Sequence, residues 1–557
     1  MTLLLLLVVG GVAAAGTTWS GARGGTAARA GAVGGVVALL LVLVLALASP
    51  APAAGGNGVP SVVEGLFGNS LVPTDYLRLV VSLWALDSIL LIGIAWLLGG
   101  IPALRGLLPG TLAAITGGAV ALGGADLGLD ILAAAATGLA SLIVVVAVEG
   151  GAMLPVAARE LRASLGAGAL LLGATAVAPV AAALTLGASA GGTGGVASAA
   201  DTPGGEAGAV LGLVALAITL AVAVRGGSIP FHLRVPRLAD VAPPIAMPLL
   251  LGWISLPLAV VALGALDRLV APLALPLEGE RGVIIALALF TMAAGALAAF
   301  IQDDLRHGVG YLVIADGGLV LLGFAALDPA AWGPTRTWLV ALAASKAALG
   351  AWAAVTEARF ETRSLPDLRG WIRRAPMLAA GLVLTIVATF GVPGWVVFSA
   401  RGDLARLAAS GPLDAVLILA GFLSLPVYLR ILAIGGGPAS TPVARAAPER
   451  IVRTRRPAEM LAVETEGDAA GATPAEAGPE RAVARRSAVR TATVSASFGS
   501  ASFGRRVAAA IGRDRTELLS AAVLALAVLA ALTSWGALNI GGAAAEAAPV
   551  VVGPASD

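Results

Sequence analysis

The sequence predicts an all-α, polytopic membrane protein with about fourteen transmembrane helices. Three observations predict it. Of the 557 residues, 58% are hydrophobic and only 12% charged, against roughly 25% charged in soluble domains. Apolar runs near the length that crosses a bilayer, about 20 residues, recur along most of the chain. The segments between these runs alternate, almost throughout, between richer and poorer in arginine. That is the pattern expected when cytoplasmic loops hold the excess of basic residues.

Taken in order, the spans fall near 2–16, 31–48, 76–98, 107–124, 129–157, 163–188, 207–226, 244–264, 282–302, 308–326, 333–355, 376–400, 413–434 and 517–538. The first is as short as a signal peptide. It has no basic leading region and a second apolar run follows closely, so it is read as a span. The connection 17–30 carries Arg23 and Arg29, whereas 49–75 has Glu64 and Asp75 and no base. Arg105 lies in 99–106, Asp126 and Asp130 in 125–130, and Arg159 and Arg162 in 158–162. Asp201 and Glu206 follow in 189–206, then Arg225, Arg234 and Arg237 in 225–243. Five arginines crowd 356–375. The weakest link is 303–307, which should be cytoplasmic yet has two aspartates and one arginine. The alternation puts both termini outside.

Residues 436–515 differ in composition. They are rich in Arg, Glu, Pro, Ala and Ser and repeat SASFG in tandem at 495–504, which reads as a disordered cytoplasmic insertion ahead of the last helix. The expected organisation is therefore an N-terminal block of three helices (1–106), a first membrane unit (107–264), a second (282–434), the insertion (436–515) and a final helix (517–538).

Several functions are excluded or unsupported. With no cysteine, the chain has no disulfide, thiolate zinc site or Cys-ligated iron–sulfur cluster. Two histidines, His232 and His307, stand at helix ends, a poor arrangement for a bis-histidine haem. A net charge of +2 gives no reason to expect nucleic acid as a partner. No dinucleotide fingerprint or P-loop occurs in a suitable context. No redox or nucleotide cofactor is expected on this chain. One asymmetry stands out: of 35 basic residues, Lys346 is the only lysine. A lysine kept where every other base is arginine marks a position that arginine does not serve.

Ionisable residues inside spans are costly and point by default to function. Glu149 ends the run SLIVVVAVE, Arg225 follows ALAITLAVAV, Lys346 lies mid-span in LVALAASKAALGAW, and Arg401 follows GVPGWVVFSA. Asp87 and Asp316 are further candidates. The competing reading is that these are snorkelling or interfacial residues; it weighs most on Asp87 and Asp316, then on Arg225 and Arg401, and least on Lys346. Two segments are also punctuated by Gly and Pro: GGSIPFHLRVP at 226–236, with Pro230, and GVPGW at 391–395, with Pro393. Broken helices at membrane depth are tolerated only where protein or a water-filled cavity surrounds them, and in transporters paired breaks mark ion sites. Each break here adjoins an arginine.

These segments resemble the antiporter-like membrane subunits of NADH-quinone oxidoreductase (complex I), a family that extends to Mrp cation/proton antiporters and membrane-bound hydrogenases. The stretch GGSIPFHLRVPRLADVAPPIAMPLLLG is similar to the family's PFH-L-x-x-P core followed by an acidic residue and an AP pair. FIQDDLRHGVGYLVIADGGLVLLG is similar to its AYSS-type helix, and TRSLPDLRGWIRRAPMLAAGLVL with ATFGVPGWVVFSAR to the loop and second broken helix. The resemblance covers roughly 75–435, and N-type subunits fit best. It implies two inverted five-helix repeats, spans 4–8 and 9–13, with spans 7 and 12 broken. It implies proton translocation along a central axis of charged residues. Glu149 takes the place of the family's span-5 glutamate, Arg225 that of the span-7 lysine and Arg401 that of the span-12 base. Asp316 stands where many members have histidine, Lys346 falls near a lysine seen in some, and Leu256 replaces the span-8 lysine. Arginine keeps its proton, so these replacements weaken the relay. By resemblance, NADH, FMN, iron–sulfur clusters and quinone belong to partner subunits of the membrane and peripheral arms, in a bacterial plasma membrane. A cation/proton antiporter subunit and a structural subunit with a defunct channel are the alternatives.

Overall fold

A computed structural model describes residues 2–49, 74–124, 126–146, 153–190, 203–273, 277–438 and 501–546. Among them the regular structure is helical and no strand occurs. Thirteen segments are long and apolar enough to cross a membrane. The fourteenth expected span, 376–400, is present as two short helices.

The helices that matter for the site are these. Asp75–Gly99 (α1) is capped by the Thr74 side chain, which accepts the Leu77 N–H at 3.1 Å. Leu104–Gly123 (α2) and Leu127–Val146 (α3) follow. Met153–Ala190 (α4) and Pro203–Gly226 (α5) come next. Arg234–Val241 (α6) and Leu256–Leu269 (α7) complete the first half. The second half comprises Glu278–Ile301 (α8), Leu305–Ala326 (α9) and Trp332–Phe360 (α10). It continues with Pro376–Phe390 (α11), Val396–Ala408 (α12), Pro412–Ala420 (α13) and Leu425–Gly436 (α14).

Both sequence breaks interrupt helices, for backbone reasons. After α5, Gly227 has φ 73°, a conformation that L side chains rarely adopt, and Pro230 brings no N–H. A short 3-10 turn, Phe231–Leu233, then leads into α6. After α11, Gly391 and Gly394 have φ 72° and 93° and flank Pro393. A Cβ on Gly391 would lie 2.8 Å from the Phe398 backbone nitrogen, so the two halves of this span approach closely only because residue 391 has no side chain. A third irregularity, a π-helical turn at Leu249–Trp253, precedes α7; such turns frequently occur at functional sites.

In lipid there is little hydrophobic drive between helices, and small residues at contacts do the packing. The α8–α9 pair is an instance: a Cβ on Gly295 would stand 2.9 Å from the Ala315 nitrogen, and one on Gly318 3.0 Å from the Ala288 carbonyl. Helix α10 is buried along its whole apolar length. It is therefore the place where the protein rather than lipid surrounds any charge.

One expectation is corrected. Residues 158–162 are not a loop; they lie inside α4, and only 147–152 between α3 and α4 falls outside the described residues. The adjacent charges of Arg159, Glu160 and Arg162 imitate a loop, although they point to different faces of one helix. Helix Ala501–Trp535 (α15) covers the end of the segment read as 436–515 together with the final expected span, and residues 439–500 lie outside the described residues.

Candidate functional site

The first cluster is built where α3, α4, α5 and α6 meet. On α4 the buried positions Val156, Ala157, Glu160, Ala163, Ser164, Ala167 and Leu171 follow the three-and-four spacing of a helix face, while Arg159, Leu161 and Arg162 are exposed. Glu160 therefore enters the interior with 1% of its surface exposed. Arg225, in the last turn of α5, donates from Nη1 to Glu160 Oε2 at 3.2 Å. Arg234, just beyond the break, donates from Nη1 to both carboxylate oxygens at 2.9 and 3.0 Å. The break returns the chain so that Arg234 Nη2 also donates to the Arg225 carbonyl.

A glycine completes the arrangement. Arg225 Nη2 donates to the Gly138 carbonyl at 3.4 Å, and Ser141 and Ser164 hydroxyls donate to the same oxygen at 2.6 and 3.2 Å. A Cβ on Gly138 would lie 3.2 Å from Ser164 and 3.5 Å from Arg225 Nε. The cluster holds two guanidiniums and one carboxylate. In water-poor surroundings such groups are tolerable only when paired and hydrogen-bonded.

The second cluster lies between α9, α10, α12 and α14. Lys346, fully buried on α10, donates to Asp316 on α9 and, at 2.9 Å, to the Tyr428 hydroxyl on α14. Ser424 Oγ donates to the other Asp316 oxygen at 2.7 Å, and Trp338 Nε1 to the Asp316 carbonyl at 3.2 Å. Each polar atom of the Lys–Asp pair thus has a named partner.

Arg401 on α12 sits apart from that pair, and among the described residues no carboxylate is bound to it. It donates from Nη1 to the Thr389 carbonyl at 2.8 Å and from Nη2 to the Gly421 carbonyl. Thr389 lies in the last turn of α11 and Gly421 just past α13, where carbonyls lack helical partners and carry the negative end of the helix dipole. Trp338, Phe390 and Phe422 place ring centroids 4.9, 5.0 and 4.9 Å from its guanidinium carbon, which adds cation–π attraction. The helix break is what makes a carbonyl available to hold this charge.

A cavity of about 40 Å³ lies between the clusters. Gly226, Ser228, Ser255 and Leu256 line one side, and Val313, Gly317, Leu339 and Leu342 the other. Its volume admits roughly two to four waters at about 10–15 Å³ each. Ser255 Oγ also reaches the Arg225 carbonyl at 3.4 Å.

The structure thus joins Asp316 with Lys346 and places Pro230 and Pro393 at the breaks beside Arg225 and Arg401. Glu149 lies outside the described residues. The carboxylate found against Arg225 is Glu160, which sequence reading passed over. Its helical spacing with Val156, Ala163, Ala167 and Leu171 is the signal that would have found it. Arg234, Tyr428 and Ser424 were missed as well. Among the described residues no group of His, Cys, Asp and Glu is placed to hold a metal ion.

Residues 160–424 match the model of the NADH:quinone oxidoreductase/Mrp antiporter transmembrane family. The matched stretch begins at the buried glutamate and ends at the serine that binds Asp316. Over this stretch, a little under half of its length, the chain is similar to that antiporter-like family. Over 245 residues it is 33% identical to the NADH-quinone oxidoreductase subunit N 3 of Streptomyces griseus, covering 42% of each chain. It is 29% identical over 221 residues to subunit N of Halorhodospira halophila, covering 38% of this chain and 44% of that one. The matches thus span less than half the length of these relatives. In fold, it resembles a chain of the respiratory complex I of Thermus thermophilus, with TM-score 0.56, 19% identity, and 97% and 98% of the two chains covered. It also resembles a chain of the Mrp complex from Dietzia sp., with TM-score 0.60, 20% identity, and 79% and 48% covered.

Proposed function

We propose that this antiporter-like subunit translocates protons within an NADH-quinone oxidoreductase-like respiratory complex, through a central axis of buried charges coupled to redox chemistry in partner subunits. The observation that carries the reading is the Asp316–Lys346–Tyr428 cluster. Lysine and carboxylate are groups that exchange protons when buried, and the chain's only lysine is held against a carboxylate inside the most enclosed helix.

In this reading the two clusters have different tasks. Arg225 and Arg234 are guanidiniums, a group that serves poorly as a proton carrier. With Glu160 they form a fixed charge whose field acts on the proton at Lys346 but carries none. A proton delivered to the second cluster moves between Lys346 and Asp316 when the field changes, and the small cavity beside Ser255 supplies room for water between the two clusters. Arg401 is a second fixed charge, on the far side of Lys346. Redox chemistry with NADH, FMN, iron–sulfur clusters and quinone belongs to membrane-arm and peripheral-arm partners, and the chain contributes no cofactor site. In this reading both termini lie outside a bacterial plasma membrane, and two inverted five-helix repeats account for the paired breaks.

A second reading, a structural subunit with a non-conducting channel, has a specific observation in its favour. Both helix breaks carry arginine, and Leu256 lines the central cavity where a base would complete the axis. The decisive experiment begins with gentle solubilisation of the tagged full chain from its native membrane. Recovery of quinone-reductase subunits, with proton uptake driven by a reductant in vesicles, supports the proposal. Assembly with proton flux unchanged by Lys346→Ala establishes the structural reading instead. Recovery of a hydrogenase, or of an Mrp-type assembly with cation-driven flux, overturns the quinone-coupled one.

A further inference from the structure

Among the described residues the two clusters leave three buried carboxylates unused, Asp87, Asp130 and Asp267, of which Asp87 is the most enclosed. Asp87 is the central residue of the 25-residue α1 and is 1% exposed. Its Oδ2 accepts a single hydrogen bond, from Trp253 Nε1 at 3.1 Å, and its Oδ1 has no partner. No arginine, lysine or histidine among the described residues forms an ion pair with it. The adjacent Ser88 hydroxyl and the Trp84 Nε1 one turn away are also buried without partners.

The surroundings are rigid and aromatic. Trp84 and Trp253 stack with centroids 5.7 Å apart and planes at 14°. A Cβ on Gly118 would press within 2.6 Å of the Trp84 ring and 3.2 Å of Pro257, so helix α2 backs the stack closely. Trp253 belongs to the π-helical turn whose neighbours Gly252 and Ser255 line the cavity between the clusters. Asp87 therefore reaches the central axis through one indole.

We propose that Asp87 is a further proton-binding site, held as the neutral acid and exchanging its proton with the axis beside Trp253. An ionised carboxylate with one hydrogen bond and no counter-charge is among the costliest groups to bury, whereas the acid carries no charge and converts the unpartnered oxygen into a donor. A metal cation is a poor alternative occupant. Hard cations take six or more oxygens, and here the carboxylate faces an indole N–H and two rings. The site's place in a relay rests on the translocation reading; the existence of the bound proton does not.

The test uses the full chain in its assembled complex, with infrared spectra and proton flux measured on Asp87→Asn and Asp87→Glu. The expected result is loss of a deuterium-sensitive protonated-carboxyl band in Asp87→Asn, a shifted band in Asp87→Glu, and flux lowered severalfold in the first and recovered in the second. A carboxyl band unchanged in Asp87→Asn overturns the site. Loss of the band with flux unchanged overturns its exchange with the axis. If the wild-type complex moves no protons, the translocation reading falls and the infrared result alone decides whether Asp87 binds one.

Discussion

Replacing Glu160 by glutamine tests the first cluster most sharply. Glu160 accepts three hydrogen bonds from two guanidiniums at 2.9 to 3.2 Å, and among the described residues its charge is the only negative one paired with them. Glutamine keeps the shape and one acceptor oxygen but leaves Arg225 and Arg234 as two buried cations side by side. Removing one partner from a buried ion pair costs about 3–5 kcal/mol. Two stranded cations place this variant at the upper end of about 3–5 kcal/mol. Arg234→Gln is the internal control, since a one-to-one pair of Glu160 with Arg225 survives. Its cost is that of a charge-assisted hydrogen bond, about 1.5–3 kcal/mol. The assay is thermal unfolding of the purified assembly in lipid nanodiscs, read at the α4–α6 junction by limited proteolysis. The double variant Glu160→Gln with Arg234→Gln should recover part of the single-variant loss, because one of the two cations is gone. A Glu160→Gln chain as stable as wild type, or a double variant strictly additive in its losses, refutes the claim that this triad is held by its charges.

Other predictions follow from local geometry. Gly138→Val crowds Ser164 and the Arg225 guanidinium, and unfolding should cost about 1–3 kcal/mol; a chain of unchanged stability would mean that the guanidinium is free to move. Gly391→Ala puts a side chain at φ 72° and against Phe398, with a backbone cost of about 1–3 kcal/mol. It should displace α12 and lower flux, measured in vesicles against Gly411→Ala, which shares the positive-φ strain but meets nothing within 4 Å and so isolates the clash with Phe398. Arg401→Lys keeps the charge but not the fork that bridges the Thr389 and Gly421 carbonyls. It should cost about 1–3 kcal/mol for the carbonyl left unpaired; stability equal to wild type would show that charge alone suffices there.

The membrane class, the position of most spans and both helix breaks were legible in the sequence, because span length and Gly–Pro chemistry are local properties. Lys346 stood out by composition, and Asp316 by its depth in an apolar run. What stayed hidden was pairing. Glu160 looks like a loop residue beside Arg159 and Arg162, and only the helical face it shares with Ala163 and Ala167 shows that it turns inward. Arg234 seemed one more cytoplasmic base, since the return of the chain after Pro230 is a three-dimensional fact. Tyr428 and Ser424 carry no charge, so nothing in a hydropathy reading separates them from the other residues in and just before α14. Arg401 was found by position, but its partners are carbonyls and rings that no charge pattern reveals.

The central claim is that the Lys346–Asp316 pair carries the translocated proton. The most direct measurement is the proton-to-electron ratio of the assembled complex in sealed membrane vesicles, compared among wild type, Lys346→Ala and Asp316→Asn. The account predicts a lowered ratio in both variants, with the complex still assembled and electron transfer still measurable. An unchanged ratio in both would contradict it and leave the buried pair as structure alone.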